Sequence, residues 1–412
     1  MNMTSRADYD ETLQNAQVLF ILNQDTGMAM YSHEFIPGGM DPVLLSGFIS
    51  AMSSFIGSLV GGEQTQWKTE YGEDTVLLVE GGEWSYGVLA ISRETTEIRS
   101  KLRRIVRAFE SNYKYLKDSD KLTNEALTEF DEFVMRVIVL DRLRESSMVF
   151  KLPKWAGVMR PIQDHETDMR VMKMLMKAKS GNTIGRIAKD QRLSLEETID
   201  RVARAFWHNA IYILYVPSAD DILSLSEGSM STLLKRDNPL GISSNTMRII
   251  GTLDGRSPLS HQIAGIHKKE LGATVLEMGH LINKGYIQRI SSERGLILSN
   301  ECILNELIRL GRSILGKARA EEFLTSALDS GIRLHPWIAR IRVSEDLRVQ
   351  CELNDSMSTL DLDDLYSALE YLIKEITRLM SKKTDVDHIE AAAKLARQNC
   401  HETWARYLFD SV

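Results

Sequence analysis

The sequence predicts an α+β multidomain protein, and three observations carry that prediction. Residues 1–120 alternate β runs and amphipathic helices in the order β-β-α-β-β-β-α, enough for a five-stranded antiparallel sheet with helices. Two later stretches each hold three helices followed by an apolar β run. The last eighty residues are mainly helical around one hairpin. The expected division is residues 1–120 as an α/β domain, 121–160 as helix and linker, and 161–240 and 241–330 as two helical modules. Residues 331–412 complete it as a C-terminal hairpin and helices.

Totals bound the class. A chain of 412 residues with 43% hydrophobic and 26% charged content is long enough for several domains with ordinary cores. No apolar run reaches membrane-spanning length, and residues 1–15 are too polar and acidic for a signal peptide. Three scattered cysteines, Cys302, Cys351 and Cys400, argue for a reducing compartment and against a disulfide framework. A cytoplasmic protein is expected. The net charge is −7, and residues 1–120 alone hold ten Lys/Arg against seventeen Asp/Glu. Residues 244–300 hold seven against four, a weak footprint for a polyanion.

In the first domain, residues 17–21 and 28–35 read as strands around a turn at 23–27. Asp41 caps a helix with Pro42 in its first turn, and the apolar stripe Leu44, Leu45, Phe48, Ile49, Met52, Phe55, Ile56 and Leu59 runs along it. Three β runs follow over 65–71, 75–80 and 85–92, then a helix from about Thr96 to Leu116. Two helices on one face of the sheet are expected. The order β-β-α-β-β-β-α, with the opening hairpin over 18–31, resembles the longin/roadblock-like superfamily. That resemblance implies a small non-catalytic module that dimerises or serves as a platform for Ras-like GTPases. The whole is similar to multidomain proteins of archaea that join such a domain to winged helices.

Residues 122–150 read as helical, and 151–161 as a linker. The first helical module has helices at 167–179, at 183–189 capped by Thr183, and from a capping box at Ser194 and Glu197. A strand follows over 209–216, and its return strand is not evident. The second module has helices at 246–253, at 260–266 with Ser260 as cap, and at 273–283 after a turn at 270–272. A hairpin of 286–290 and 295–298 would complete it. Helix, helix, turn, helix, hairpin is the order of a winged helix-turn-helix, which presents one helix to a groove of DNA or protein. Beyond it, 303–328 continues as helix, 338–353 forms a hairpin around 344–346, and helices at 362–380 and 387–408 finish the chain.

No catalytic chemistry is evident. Gly38, Gly39, Gly61, Gly62, Gly81 and Gly82 are turn glycines without a phosphate-loop motif, and no Gly-x-Ser-x-Gly elbow occurs. His261, His267 and His280 lack metal-ligand spacing, and Asp361, Asp363 and Asp364 suit a helix start. No cofactor is implied, and an enzyme is not expected. Among bases of recognition, the third helix of the first module offers Glu196, Glu197 and Asp200, offset by Arg201 and Arg204. That of the second offers Thr274, Glu277, Met278, His280 and Asn283. Neither is a good base-reading set. Lys268, Lys269, Lys284, Arg289 and Arg294 are the candidate phosphate contacts. Arg99, Lys101, Arg103, Arg104 and Arg107 form the densest basic cluster, a candidate partner surface offset by Glu94, Glu97 and Glu110. The expected function is a non-enzymatic adaptor: the first domain dimerises or binds a small GTPase, and the winged helices engage protein. The alternative is a DNA-binding transcription regulator whose first domain senses or dimerises.

Overall fold

A computed structural model describes residues 16–36, 47, 49, 51, 66–71, 75–118, 123–153, 155–159, 166–353, 357, 359–383 and 386–408. The expected helix cap at Asp41, Pro42, and stripe residues Leu44, Leu45, Phe48, Met52, Phe55, Ile56 and Leu59 lie outside them, as do the turns at 37–39, 61–62 and 72–74. The chain divides into two compact units, Met1–Arg289 and Ile290–Val412.

The first unit opens on strands β1 (Ala16–Asn23), β2 (Ala29–Glu34), β3 (Gln66–Tyr71), β4 (Thr75–Gly81) and β5 (Ser85–Ile91). They form one antiparallel sheet in the order β2-β1-β5-β4-β3. The β1–β2 turn is fixed by Asn23, whose Oδ1 accepts from the Asp25 and Thr26 amides at 2.9 and 3.0 Å. Helix α1 (Thr96–Asn112), capped by Thr95, lays Ile98, Leu102, Ile105 and Phe109 on Leu19, Ile21, Leu89 and Ile91. Residues of the other parity, Val18, Phe20, Leu77 and Val88, are equally buried and pack with Ile49. Ile49 therefore lies on the face opposite α1, and the expectation of two helices on one face is corrected. Strands apolar at both parities need cover on both sides.

Helix α2 (Asn124–Ile138), capped by Thr123, places Phe130 against Phe109 and Tyr31. The helical stretch expected to reach residue 150 stops early. A 3-10 turn at Leu140–Arg142 follows, and the Ser147 hydroxyl accepts the Arg144 amide at 3.1 Å. Residues Met148–Lys151 are then strand β6, not helix, because their backbone groups are taken by two other strands.

From β6 onward one pattern occurs twice. The first copy is β6, a short helix α3 (Trp155–Met159), α4 (Glu166–Lys177), β7 (Asn182–Thr183), α5 (Ile184–Gln191), α6 (Leu195–Trp207) and β8 (Ile211–Leu214). The second is β9 (Leu223–Leu225), a short helix α7 (Ser229–Leu233), α8 (Ser244–Ile250), a bridge residue Pro258, α9 (Leu259–Ile263), α10 (Lys268–Asn283) and β10 (Ile287–Arg289). In each copy the upstream strand pairs with the strand that follows the third helix. Strand β6 pairs with both β7 and β8, while β9 pairs with β10 and the adjacent Ile222 with Pro258. The missing return strand of the first copy is thus β6, upstream of its helices.

The second copy corrects three expectations. Residues 270–272 lie inside α10, so the turn falls earlier, between α9 and His267, whose ring accepts from Lys269 N. Ser260 is within α9, which starts after Pro258. Residues 295–298 are helical, because Ser291 accepts the Arg294 amide and caps a new helix. No second hairpin strand forms there, and β10 finds its partner in β9.

The second unit is a helical bundle of α11 (Ser292–Leu315), α12 (Lys317–Gly331), α13 (Thr359–Ser381) and α14 (Val386–Leu408). Gly316, at φ +87°, separates α11 from α12, a backbone setting that favours glycine. Strands β11 (Ile341–Val343) and β12 (Val349–Cys351) form the expected hairpin. Asn305 clamps it to α11, its Oδ1 accepting from Val349 N at 2.7 Å and its Nδ2 donating to Val349 O at 2.9 Å. Cys302 and Cys400 are disulfide-bonded, which corrects the expectation of scattered cysteines without a disulfide; Cys351 is buried and lies outside that bond. The pairing was hidden because 98 residues separate the two cysteines, and packing of α11 against α14 brings them together. Among the described residues no helix is long and apolar enough to cross a membrane.

Candidate functional site

The third helices of the two repeats spend most of their polar side chains on the protein itself. On α6, Ser194 caps the helix by accepting Glu197 N at 3.1 Å, Glu197 pairs with Arg201, and Asp200 pairs with Arg204 at 3.3 Å. Arg204 also reaches Glu132 of α2 at 3.1 Å. On α10, Thr274 and Met278 point into the core. Glu277 accepts from Ser243 N at 3.0 Å, Ser243 Oγ at 2.6 Å and the Thr246 hydroxyl, while Glu270 accepts from Asn245 at 2.9 Å. Asn283 accepts Tyr215 N at 3.0 Å and donates to Ile213 O at 2.8 Å. His280 is half-buried, and burial followed by the Lys284 charge lowers its pKa.

The five candidate phosphate contacts separate. Lys268 and Lys269 are exposed in the first turn of α10, and Lys284 is half-buried just past its end. Arg289 and Arg294 are buried, with 6% and 7% of their surface exposed, so neither offers a phosphate a face. The guanidinium of Arg289 stacks 5.9 Å from the Tyr215 ring, reaches Asp221 at 3.6 Å and donates to Asp141 O at 3.2 Å.

The basic cluster on α1 is likewise turned to internal use. Arg99 pairs with Glu94 at 2.5 Å, Arg103 with Glu80 at 2.9 Å, Lys101 with Glu97 at 3.3 Å, and Arg104 with Asp141 at 3.5 Å. Lys101 and Arg103 are buried, and Arg107 is the member that stays exposed. Glu110, expected to offset this cluster, instead accepts from the amides of Glu83, Trp84 and Ser85 and fastens the β4–β5 turn. A continuous exposed basic patch is therefore not what α1 presents.

What these charges build is a junction inside the first unit, where α1, the segment after α2 and both repeats meet. Burial would raise the Glu97 carboxyl, but Arg142, Lys101 and Arg289 override it and hold its pKa at about 2. Burial lowers Lys101, and Glu97 and Asp141 offset only part of that. Gln288 Oε1 accepts from Thr96 N at 2.6 Å, and the Arg93 guanidinium lies 4.3 Å over the Tyr286 ring. On the other side, His33 of β2 stacks on Trp207 of α6 at 3.5 Å, and Asn209 donates to Glu34 O at 3.3 Å.

Within the junction lies a cavity of about 80 Å³, partly open to solvent. Phe35 and Ile98 line it from the sheet side, Ile138 and Arg142 from α2 and its 3-10 turn, and Phe206 and Asn283 from the repeats. Sequence reading missed this site because its walls come from segments far apart in the chain. The legible local signal was the Glu97–Lys101 pair, one helical turn apart beside the apolar Ile98.

Among the described residues no group of three His, Cys, Asp or Glu side chains is placed to hold a metal ion. No protein-family model matches the chain, and no curated protein matches it either.

Proposed function

We propose that this chain is a non-enzymatic adaptor or regulatory scaffold. In this reading the longin/roadblock-like sheet domain dimerises or binds a small Ras-like GTPase, and the two repeats act as winged-helix modules that engage protein. The observation that carries it is the internal use of polar groups on the third helices: Glu277 and Asn283 are committed to Ser243, Thr246, Tyr215 and Ile213. Side chains held that way are not free to read base edges. The exposed start of α6 carries Glu196 and Glu197, which repel phosphates.

The second reading is a DNA-binding transcription regulator, favoured by exposed Lys268 and Lys269 at the start of α10. One experiment separates them. The purified chain is titrated with mixed duplex DNA across a salt series, and in parallel with Ras-like GTPases loaded with GDP or a GTP analogue. The adaptor reading expects no duplex binding at low salt and saturable, nucleotide-dependent GTPase binding or a concentration-dependent dimer. Tight duplex binding that weakens steeply with salt yet keeps a sequence preference would overturn it.

A further inference from the structure

We propose that the junction cavity is a binding site for a small amphipathic carboxylate, with Arg142 taking the head group. The inference goes beyond the adaptor reading and does not depend on it.

Three observations carry it. The first is size. A water needs about 10–15 Å³ of such space, so a cavity of about 80 Å³ accommodates about six waters or a molecule of about eight heavy atoms. The second is chemistry of the walls. Phe35, Ile98, Ile138 and Ile213 are buried apolar residues, suited to a short aliphatic or aryl tail. Asn283 also lines the cavity, but its amide is already committed to Tyr212, Tyr215 and Ile213.

The third is an under-served cation. Arg142 lines the cavity, yet its Nε is buried without a hydrogen-bond partner. Its ion pair is with Glu97, at 3.6 Å, and Glu97 also serves Lys101 at 3.3 Å. The neighbouring Asp141 carboxylate is engaged by Arg104 at 3.5 Å. A guanidinium presents paired donors in a fixed fork that matches a carboxylate. An incoming carboxylate would add negative charge beside a guanidinium whose ion-pair partner, Glu97, is shared with Lys101. Because the walls come from the sheet domain, the segment after α2 and both repeats, occupancy would tie these parts together.

The test uses the full chain and two probes with one tail, hexanoate and hexanol, followed by calorimetric titration and by thermal unfolding. Hexanoate is expected to bind saturably with a Kd of about 0.1–1 mM, ordinary for about eight heavy atoms. It should also raise the unfolding temperature. Hexanol should bind at least about tenfold more weakly. Arg142→Gln should abolish that preference, and Arg142→Lys should keep part of it. Ala16→Leu, which adds bulk to the cavity wall, should weaken both probes and keeps the proposal testable if Arg142→Gln fails to fold. Equal binding of the two probes, no binding of hexanoate, or undiminished hexanoate binding by Arg142→Gln or Ala16→Leu would overturn the assignment.

Discussion

Acidification should destabilise the first unit, and the imidazole of His33, where the first repeat meets the sheet, is a main cause. His33 stacks on Trp207 with ring centroids 3.5 Å apart and planes 14° apart, and meets Phe35 edge-on at 4.8 Å. Burial, and then the nearby His208, push its pKa from 6.5 down to about 3. His208 itself faces Asp168 at 3.9 Å and Arg204 on its own helix, and burial lowers it too. The folded state therefore holds His33 neutral, whereas the unfolded chain protonates it near pH 6.5. The stability it contributes is present above pH 6.5 and is lost as pH falls toward 3. At pH 5 the unfolded imidazole is protonated while the folded one is not, a difference of about 2 kcal/mol at about 1.4 kcal/mol per pH unit. Urea unfolding of the wild type and of His33→Phe at pH 7 and pH 5 checks this. Phenylalanine keeps an aromatic ring on Trp207 but cannot titrate. The variant should lose about 2 kcal/mol less between the two pH values than the wild type does. An equal loss in both proteins would refute the reasoning.

Two further outcomes follow from packing and covalent structure. A Cβ at Gly279 would stand 2.4 Å from the Tyr215 carbonyl oxygen, a backbone atom that cannot swing aside. Gly279→Ala should therefore force α10 off the strand exit and cost about 1–3 kcal/mol by urea titration. The Cys302–Cys400 bond closes a loop of 98 residues. Cys400→Ser, or a reductant, should destabilise the second unit by about 2–4 kcal/mol, measured as a shift of its denaturation midpoint; an unchanged midpoint would show that helix packing alone holds it.

Local signals carried much of this fold and little of its junction. Thr183 and Ser194 announced their helices because a cap acts over three residues. The five strands at 16–91 were visible as β runs set off by turn residues, and the apolar character of both parities at 18–22 was itself a sign of two-sided burial. Strand β10 falls within the β run read at 286–290, but β9 is three residues long, too short for a period to declare itself, and the two partners lie about sixty residues apart. Residues 295–298 look β-like by composition, and the cap at Ser291 decided for helix. Basic residues were the hardest to place. Arg103 is buried against Glu80, 23 residues earlier, and Arg289 against Asp141 and Asp221. Such pairings belong to the tertiary fold, so a cluster that reads as an exposed surface became an interior network.

The pairing of β6 with β8 and of β9 with β10 has a topological consequence. In each repeat the strand that enters and the strand that leaves lie side by side, Met148 against Leu214 and Leu223 against Arg289. The chain comes back to where it started after some sixty residues of helix. A module with adjacent entrance and exit behaves as a cassette: it can be duplicated or excised at its two-stranded neck without redirecting the polypeptide on either side. Cutting such a chain just before its first helix, where a three-helix reading would place the border, would strip each cassette of the strand that holds its sheet together.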